Sequence, residues 1–169
     1  MLVLGIDPGT AITGYGIVEE TNNRIKCVTM GCVRTPAGMP LQARLAIIYR
    51  ELSGVISRYS PDCVSVEQLF FNTNVKSALA VGHARGVALL ACAQAGLSVA
   101  EYTPLQVKLA VAGYGRADKK QMQSMVKLLL GLDEEPKPDD VADALAIAMC
   151  HLNSAQYHSV TTPRGGEPL

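Results

Sequence analysis

The sequence predicts an α/β fold in which a mixed five-stranded sheet is flanked by helices. Three strand-like segments open the chain, separated only by turn residues, and such segments form an antiparallel meander. The full order of predicted elements is βββαβαβααα, which is typical of a mixed sheet with helices around it. With 169 residues, 49% of them hydrophobic, the chain has the size of one domain with a single core.

Two of the predicted strands end directly at a carboxylate. The apolar run from Leu2 to Ile6 leads into Asp7, which begins the turn-forming sequence Asp7-Pro8-Gly9-Thr10. The β-branched segment from Cys63 to Val66 leads into Glu67 in the same way. The predicted strands are residues 2–6, 15–19, 25–33, 63–66 and 99–102.

The helices are predicted from apolar positions that recur three and four residues apart, and from capping and stop residues. Between the third and fourth helices lies a basic loop, Gly113-Tyr114-Gly115-Arg116. We expect residues 1–154 to form the domain and residues 155–169, which contain two prolines and two glycines, to be a disordered tail. The predicted helices are residues 41–59, 75–95, 104–111, 119–130 and a last one from Asp139 or Asp140 to about Asn153.

Charge is balanced overall but unevenly distributed. The chain has 15 Lys and Arg against 15 Asp and Glu, which at face value argues against a polyanionic partner. Residues 72–131, however, hold seven basic and two acidic side chains, and residues 132–169 hold two basic and seven acidic ones. This distribution predicts a basic surface beside an acidic pocket.

Cysteine use and hydropathy predict a cytoplasmic protein without a membrane partner. The five cysteines are odd in number, widely spread and free of any C-x-x-C pair, so neither a disulfide framework nor a zinc site is expected. The chain does not open with a charged segment before an apolar one. It also has no apolar stretch near the roughly 20 residues that a membrane helix needs.

Four acidic residues, Asp7, Glu67, Asp140 and Asp143, stand where a solvated surface charge is not the natural expectation. For Asp7 a turn role alone, and for Glu67 a strand-end charge in water, remain simple alternatives. Asp140 and Asp143 are three residues apart at the start of an apolar helix, so both project from one face near its N-terminus. Capping explains Asp140. Asp143 lies a turn inside, where an unpaired carboxylate is costly unless it binds a cation.

Carboxylates without clustered histidine or cysteine favour Mg²⁺ or Mn²⁺ over zinc. Two such ions about 4 Å apart can activate a water, orient a scissile phosphate and stabilise the leaving oxygen. We therefore expect the four acidic side chains to meet in one site for two Mg²⁺ ions, with Mn²⁺ as a substitute.

Four segments together resemble the RuvC crossover-junction endodeoxyribonucleases, over residues 1 to about 153. The resemblance implies an RNase-H-like fold and a homodimer in which each subunit nicks one of two symmetry-related strands of a four-way DNA junction. It also implies Mg²⁺-dependent, two-metal hydrolysis that gives 5′-phosphate and 3′-hydroxyl ends, and association with the RuvA–RuvB branch-migration complex. The matching segments are residues 4–10, Val66-Glu67-Gln68, Ala84-Arg85-Gly86 and residues 140–146.

The resemblance also assigns roles to single residues. Phe70 matches an aromatic position that stacks on bases at the branch point, with a core phenylalanine as the alternative; stacking contributes about 1–3 kcal/mol per base. The positions that match the family's catalytic, metal-binding acids are Asp7, Glu67, Asp140 and Asp143.

Basic residues complete the expected DNA-binding surface. Lys108 and Lys119 match positions that the family uses near the scissile phosphate, where a cation neutralises charge developing in the reaction. We expect Lys120 to make a general phosphate contact, with Lys127 beside it, and Arg116 to contact DNA from its loop. Arg85 has two open interpretations, a role in the dimer or a buried ion pair.

Three other functions share parts of this pattern. The opening around Asp7 also resembles the first phosphate loop of actin-like ATPases and sugar kinases, but these have two such domains and no second phosphate loop follows here. A non-catalytic junction-binding module would keep the basic surface and cleave nothing. A related nuclease acting on RNA would prefer an RNA:DNA hybrid. ATP-dependent phosphorylation, nicking in Mg²⁺ and the choice between hybrid and junction separate these alternatives.

Overall fold

A computed structural model of the chain describes residues 1–68 and 75–161, with the side chains of residues 1–68 and 78–155. In this part of the chain the strands are β1 (Leu2–Asp7), β2 (Ile12–Thr21), β3 (Arg24–Arg34), β4 (Cys63–Glu67) and β5 (Val99–Tyr102). The helices are α1 (Leu41–Tyr59), α2 (Val75–Gln94), α3 (Pro104–Ala112), α4 (Lys119–Leu130) and α5 (Asp139–Thr161).

The strands form one mixed sheet in the order β3-β2-β1-β4-β5. The first three are antiparallel neighbours, so the predicted meander is confirmed. β4 pairs parallel to β1, and β5 pairs parallel to β4. In this register Ile6 lies opposite Val66. Asp7 and Glu67, the next residue of each strand, therefore end neighbouring strands at the same edge of the sheet.

Helices cover both faces of the sheet and divide the core into two layers. On one face, α1 and α2 pack over a cluster that includes Leu4, Ile17 and Ile48. On the other face, α3, α4 and α5 pack over a cluster that includes Val3 and Leu145. All five of these side chains are fully buried, and burial of each contributes about 1.5–3 kcal/mol. The predicted burial of the apolar helix after Asp143 is confirmed.

Helix α5 lies unusually close to β1 and β2 because three strand residues that face it are glycines. A Cβ atom at Gly5 would stand 2.0 Å from the backbone oxygen of Ala144, and one at Gly14 would stand 2.0 Å from the backbone oxygen of Asp140. A Cβ atom at Gly16 would meet the side chain of Leu145 at 2.5 Å. The absence of these side chains lets the helix backbone rest on the strands, which fixes the position of its acidic N-terminus.

Two helices next to this core carry complete capping boxes. The Thr103 side chain accepts a hydrogen bond from the backbone N–H of Gln106, whose side chain accepts one from the backbone N–H of Thr103. Asp118 and Gln121 form the same reciprocal pair at the start of α4. Each pair satisfies backbone donors that a helix start leaves open, so the starts of α3 and α4 are set locally.

The remaining predicted boundaries agree with the structure to within a few residues, except at the end of α5. This helix continues to Thr161, through residues 155–161 that we expected in the tail, because no glycine or proline interrupts it before Pro163. Its first residue is Asp139, so Asp139 and Asp140 both lie in the first turn. Within the described residues no helix is long and apolar enough to cross a membrane.

Candidate active site

The four predicted acidic residues are brought to one edge of the sheet by the fold itself. Asp7 ends β1 and pairs in register with Gly14 of β2. Because Gly14 has no side chain, the backbone of Asp140 rests directly on it, and the start of α5 stands beside Asp7. Glu67 ends β4, the neighbouring parallel strand. Asp143 follows Asp140 by about one helical turn and lines the same cleft as Glu67.

Burial and nearby negative charge raise the pKa of Asp7. Burial raises the pKa of this carboxyl to about 7, and the carboxylates of Asp143, Asp140 and Glu67 add to the rise in that order. The ammonium group of Lys119 opposes it. Burial first, and the neighbouring carboxylates second, therefore disfavour the charged form of Asp7, and the ammonium group of Lys119 offsets this only in part.

The other acidic side chains respond to the same surroundings. Burial raises the pKa of Glu67; Asp143 adds to the rise and Lys108 opposes it. Burial also raises the pKa of Asp143, against the attraction of Lys119. For Asp140 burial again raises the pKa, while a hydrogen bond from its own backbone N–H lowers it. All four groups therefore favour a nearby cation.

Lys119 is the cation that contacts this acidic group directly. Its Nζ forms an ion pair with Oδ2 of Asp139 and lies 3.6 Å from Oδ2 of Asp143. Asp139 responds with a lowered pKa, first because of this bond. The ammonium group thus stands over two carboxylates that are one turn apart on α5.

The acidic edge opens into a cleft of about 250 Å³ between β4 and helices α3, α4 and α5. Its polar lining consists of Glu67, Asp143, Lys108 and Lys119, so two carboxylates face two ammonium groups across it. Its apolar lining holds the position of these groups by packing. The apolar lining residues are Pro104, Val107, Met122 and Ile147.

The carboxylates are neighbours without yet converging on one point. Among the described residues, no three histidine, cysteine, aspartate or glutamate side chains are arranged so that they could hold a metal ion together. Lys119 takes the position beside Asp143 instead. Ion binding therefore requires rotation of these side chains, for which the strand ends and the helix start provide fixed backbone positions.

The other predicted contacts are placed differently. Lys120 and Arg116 are exposed outside the cleft, Lys120 beside a groove that includes Tyr114. Arg85 forms an ion pair with Glu101 at 2.8 Å, with only 14% of its side chain exposed, which matches the second of its two interpretations. Phe70 lies outside the described residues.

Two features of the site escaped the sequence interpretation. The sequence indicates Asp139 only as a possible start of the last helix, although the structure pairs it with Lys119. The glycines at positions 5, 14 and 16 were not assigned a role, although they determine how closely α5 approaches the strands. Their alternation along β1 and β2 was a visible signal, since glycine in a strand often marks a close backbone approach.

Comparison with known proteins decides the family. The family model of the crossover junction endodeoxyribonuclease RuvC matches residues 3–151. The chain belongs to the RuvC family. A RuvC of Desulforamulus reducens is 63% identical over 159 residues, covering 94% of this chain and 96% of the relative. A RuvC of Desulfitobacterium hafniense is 62% identical over 154 residues, covering 91% of this chain and 93% of the relative.

Solved RuvC structures have the same fold. The Thermus thermophilus RuvC in complex with a Holliday junction substrate matches with a TM-score of 0.88 and 38% identity, covering 94% of this chain and 97% of that one. The RNase-H-like fold that the resemblance implied is therefore confirmed, and the chain is a nuclease of this family. Membership over nearly the whole domain removes the actin-like alternative.

Proposed function

We propose that this RuvC-family nuclease resolves Holliday junctions by paired symmetric nicks. The observation that carries the proposal is the meeting of Asp7, Glu67 and the start of α5 at one edge of the sheet, next to a cleft that also holds two lysines. A phosphodiester needs both of these features, because its reaction requires held cations and neutralisation of its own charge.

The catalytic residues of the proposal are the four carboxylates Asp7, Glu67, Asp140 and Asp143. Their donor set fits divalent ions: the atoms are hard oxygens, and burial together with the neighbouring carboxylates raises the pKa of Asp7, which supports a cation beside it. We infer that they hold two Mg²⁺ ions, with Mn²⁺ as a substitute. When bound, such ions activate water and stabilise developing charge on phosphate oxygens.

The protein's own cations prepare the substrate. Lys108 and Lys119 line the cleft with Glu67 and Asp143, so a phosphate drawn into it meets two ammonium groups. Hydrolysis adds water across the phosphorus–O3′ bond: the water oxygen stays on phosphorus as the 5′-phosphate, and the leaving oxygen takes a proton and becomes the 3′-hydroxyl. The lysines reduce the cost of the negative charge that builds up in this step.

DNA contacts outside the cleft extend the same basic surface. Lys120 and Arg116 are exposed near the start of α4, where they can reach phosphates that flank the scissile one. Phe70 completes the proposal as the aromatic residue that stacks at the branch point. Because these lysines and arginines act on phosphate charge, affinity for a junction is expected to fall steeply as salt concentration rises.

Symmetric nicking needs two copies of the chain, and α2 offers a face for the second copy. Leu79, Gly82, Gly86 and Leu90 are spaced three and four residues apart, which places them on one stripe of the helix. The leucines are 61% and 50% exposed, and a Cβ atom at either glycine would meet nothing within 4 Å in the described part of the chain. We propose that this stripe is the homodimer contact, where the small residues allow close approach.

Two further expectations complete the proposal. All five cysteines are free, which supports a cytoplasmic location where thiols stay reduced. The family resemblance supports association with the RuvA–RuvB branch-migration complex on the same DNA. Co-sedimentation with purified RuvA–RuvB on a four-way junction tests this association, and separate migration of the nuclease would contradict it.

The decisive test is incubation of the protein with a synthetic four-way junction, with and without Mg²⁺, and mapping of the cuts on end-labelled strands. We expect paired nicks at symmetric positions, only with the metal. Asp143→Asn is expected to lower cleavage by at least about a hundredfold while junction binding persists. Glu134→Gln, which removes an exposed acidic group of the linker before α5, is the matched control. Cleavage by Asp143→Asn at the control rate would show that the site is wrongly assigned.

A further inference from the structure

Asp139 has a specific partner although it matches no catalytic position. It lies four residues before Asp143 on α5, so both carboxylates point to the same side of the helix. The Nζ atom of Lys119 binds Asp139 and stands 3.6 Å from Asp143, a longer contact. One ammonium group is therefore shared unequally between an outer and an inner carboxylate.

We propose that Asp139 is a positioning residue that holds Lys119 at the mouth of the acidic cluster, so that Asp143 is left for a divalent cation. The inference rests on the proposed function, because it assumes that the cluster binds metal. In this arrangement Lys119 keeps Asp139 as its partner throughout. Its ammonium group neutralises Asp143 before the ions bind, and it faces the phosphate afterwards.

The surroundings of the three groups support this division of roles. Asp139 is 44% exposed and Asp143 36% exposed, while the Lys119 side chain is 58% exposed. A lysine head in contact with water can move between partners at little cost. Asp139 is the better permanent partner because it is the more exposed of the two acids, whereas Asp143 lines the cleft beside Glu67.

Lys119 is also restrained at its backbone. It is the first residue of α4, directly after Asp118, whose capping box with Gln121 fixes the start of that helix. Its side chain lines the cleft together with Lys108. Without Asp139, the same backbone position would leave Lys119 beside the inner carboxylate, and it would compete with the metal there.

Metal titration without DNA tests the inference. Thermal unfolding of the purified protein is followed while Mn²⁺ is added, and the concentration that gives half of the maximal stabilisation is recorded. We expect Asp139→Asn to need about threefold more Mn²⁺ than the wild type, the order of an exposed ion pair. Asparagine suits a helix start, so folding is preserved. Asp133→Asn, an exposed change of the same charge, is expected to match the wild type, and Asp139→Glu to restore most of the affinity.

The same substitution made in a Lys119→Gln protein distinguishes an effect of Asp139 that depends on Lys119 from a general loss of negative charge. In Lys119→Gln no ammonium group competes, so adding Asp139→Asn is expected to change the Mn²⁺ requirement little. An equal shift in both backgrounds would show that Asp139 acts by its charge alone and would overturn the inference. An unchanged or lower requirement in Asp139→Asn with Lys119 present would overturn it as well.

Measurements on the wild type distinguish failure of this inference from failure of the proposed function on which it rests. If the wild type neither gains stability with Mn²⁺ nor cuts a four-way junction, the proposed function fails and the inference fails with it. If the wild type does both and Asp139→Asn needs no more Mn²⁺ than Asp133→Asn, only the role of Asp139 is wrong.

Discussion

Two groups of glycines in this chain are surrounded very differently. Those of β1 and β2, Gly5 and Gly14, lie under α5, where a Cβ atom would stand 2.0 Å from helix backbone oxygens. Those of α2, Gly82 and Gly86, meet nothing within 4 Å in the described part of the chain. The first group has a contact that explains it. The second has none among the residues that the structure describes, which is why we propose that it contacts a partner copy.

If the proposed dimer contact is right, glycine has one role within the chain and another between copies. Within the chain, glycine brings a helix backbone onto strands and thereby brings the acids of α5 to Asp7. Between copies, the same lack of a side chain would allow two α2 helices to pack closely. Substitutions at the glycines under α5 should therefore change the free energy of unfolding, whereas substitutions at the glycines of α2 should change self-association. The two quantities can be measured separately.

The largest effect is expected under α5. Gly14→Ala places a Cβ atom 2.0 Å from the backbone oxygen of Asp140, so the helix start must move. We expect a loss of about 2–3 kcal/mol in the free energy of unfolding, because backbone cannot yield as a flexible side chain does. Urea unfolding measures the loss, and junction cleavage should fall with it as Asp140 is displaced. Wild-type stability in this variant would show that the close approach is not needed.

The second effect is expected at the exposed stripe of α2. Gly86→Glu puts a charged side chain into the proposed dimer contact, and we expect self-association to weaken by at least about tenfold, or about 1.4 kcal/mol. Analytical ultracentrifugation measures the association, and paired nicks should give way to single ones. The fold of the monomer should persist, since the position is open. Full dimerisation of Gly86→Glu would place the interface elsewhere.

A third, smaller effect is a pH dependence that follows from the burial of Asp7 and from the carboxylates around it. The pKa of Asp7 is raised to about 7, so the folded state holds this proton more tightly than the unfolded state. In EDTA, the contribution of this carboxyl group to stability is therefore complete below about pH 4 and is lost as pH rises from about 4 to 7, by about 1–2 kcal/mol after allowance for solvent. Asp7→Asn should remove this part of the slope. An identical slope in both proteins, from urea unfolding at each pH, would contradict it.

The smallest effect has the opposite sign. In the monomeric Gly86→Glu background, Gly82→Ala should raise the free energy of unfolding by about 0.5–1 kcal/mol, because alanine favours a helix interior and its Cβ atom meets no other residue. Thermal unfolding checks this gain. A loss of stability would mean that the position is already filled within the chain, and the contrast with Gly14 would disappear.

Most of the fold was predictable because its signals are local. The bounds of α1 and α4 follow from apolar spacing and from helix-ending residues nearby, and the predicted start of α3 follows from Pro104. The predicted end of α5 was wrong because composition suggested a tail from residue 155, whereas the helix continues to Thr161. No glycine or proline interrupts the helix before Pro163, and composition alone did not reveal this.

The candidate site was predictable only in part, because its geometry depends on distant contacts. Asp7 and Glu67 were visible at strand ends, and their meeting follows from parallel pairing of β1 with β4. Which of the acids on α5 would face the cleft was not visible, since that depends on how the helix is rotated against the strands. Asp139 is an example, because its pairing with Lys119 could not be predicted from the sequence. The stacking role of Phe70 stays a prediction.

The paired capping boxes of α3 and α4 bear on how the family can vary. Thr103 with Gln106 and Asp118 with Gln121 fix each helix start by bonds within four residues, so the two cleft lysines do not depend on the segment that joins their helices. A bulky label at exposed Tyr114, within that segment, should therefore leave both helix starts in place. Tyr114 is accordingly a suitable position for an experimenter to attach a fluorophore.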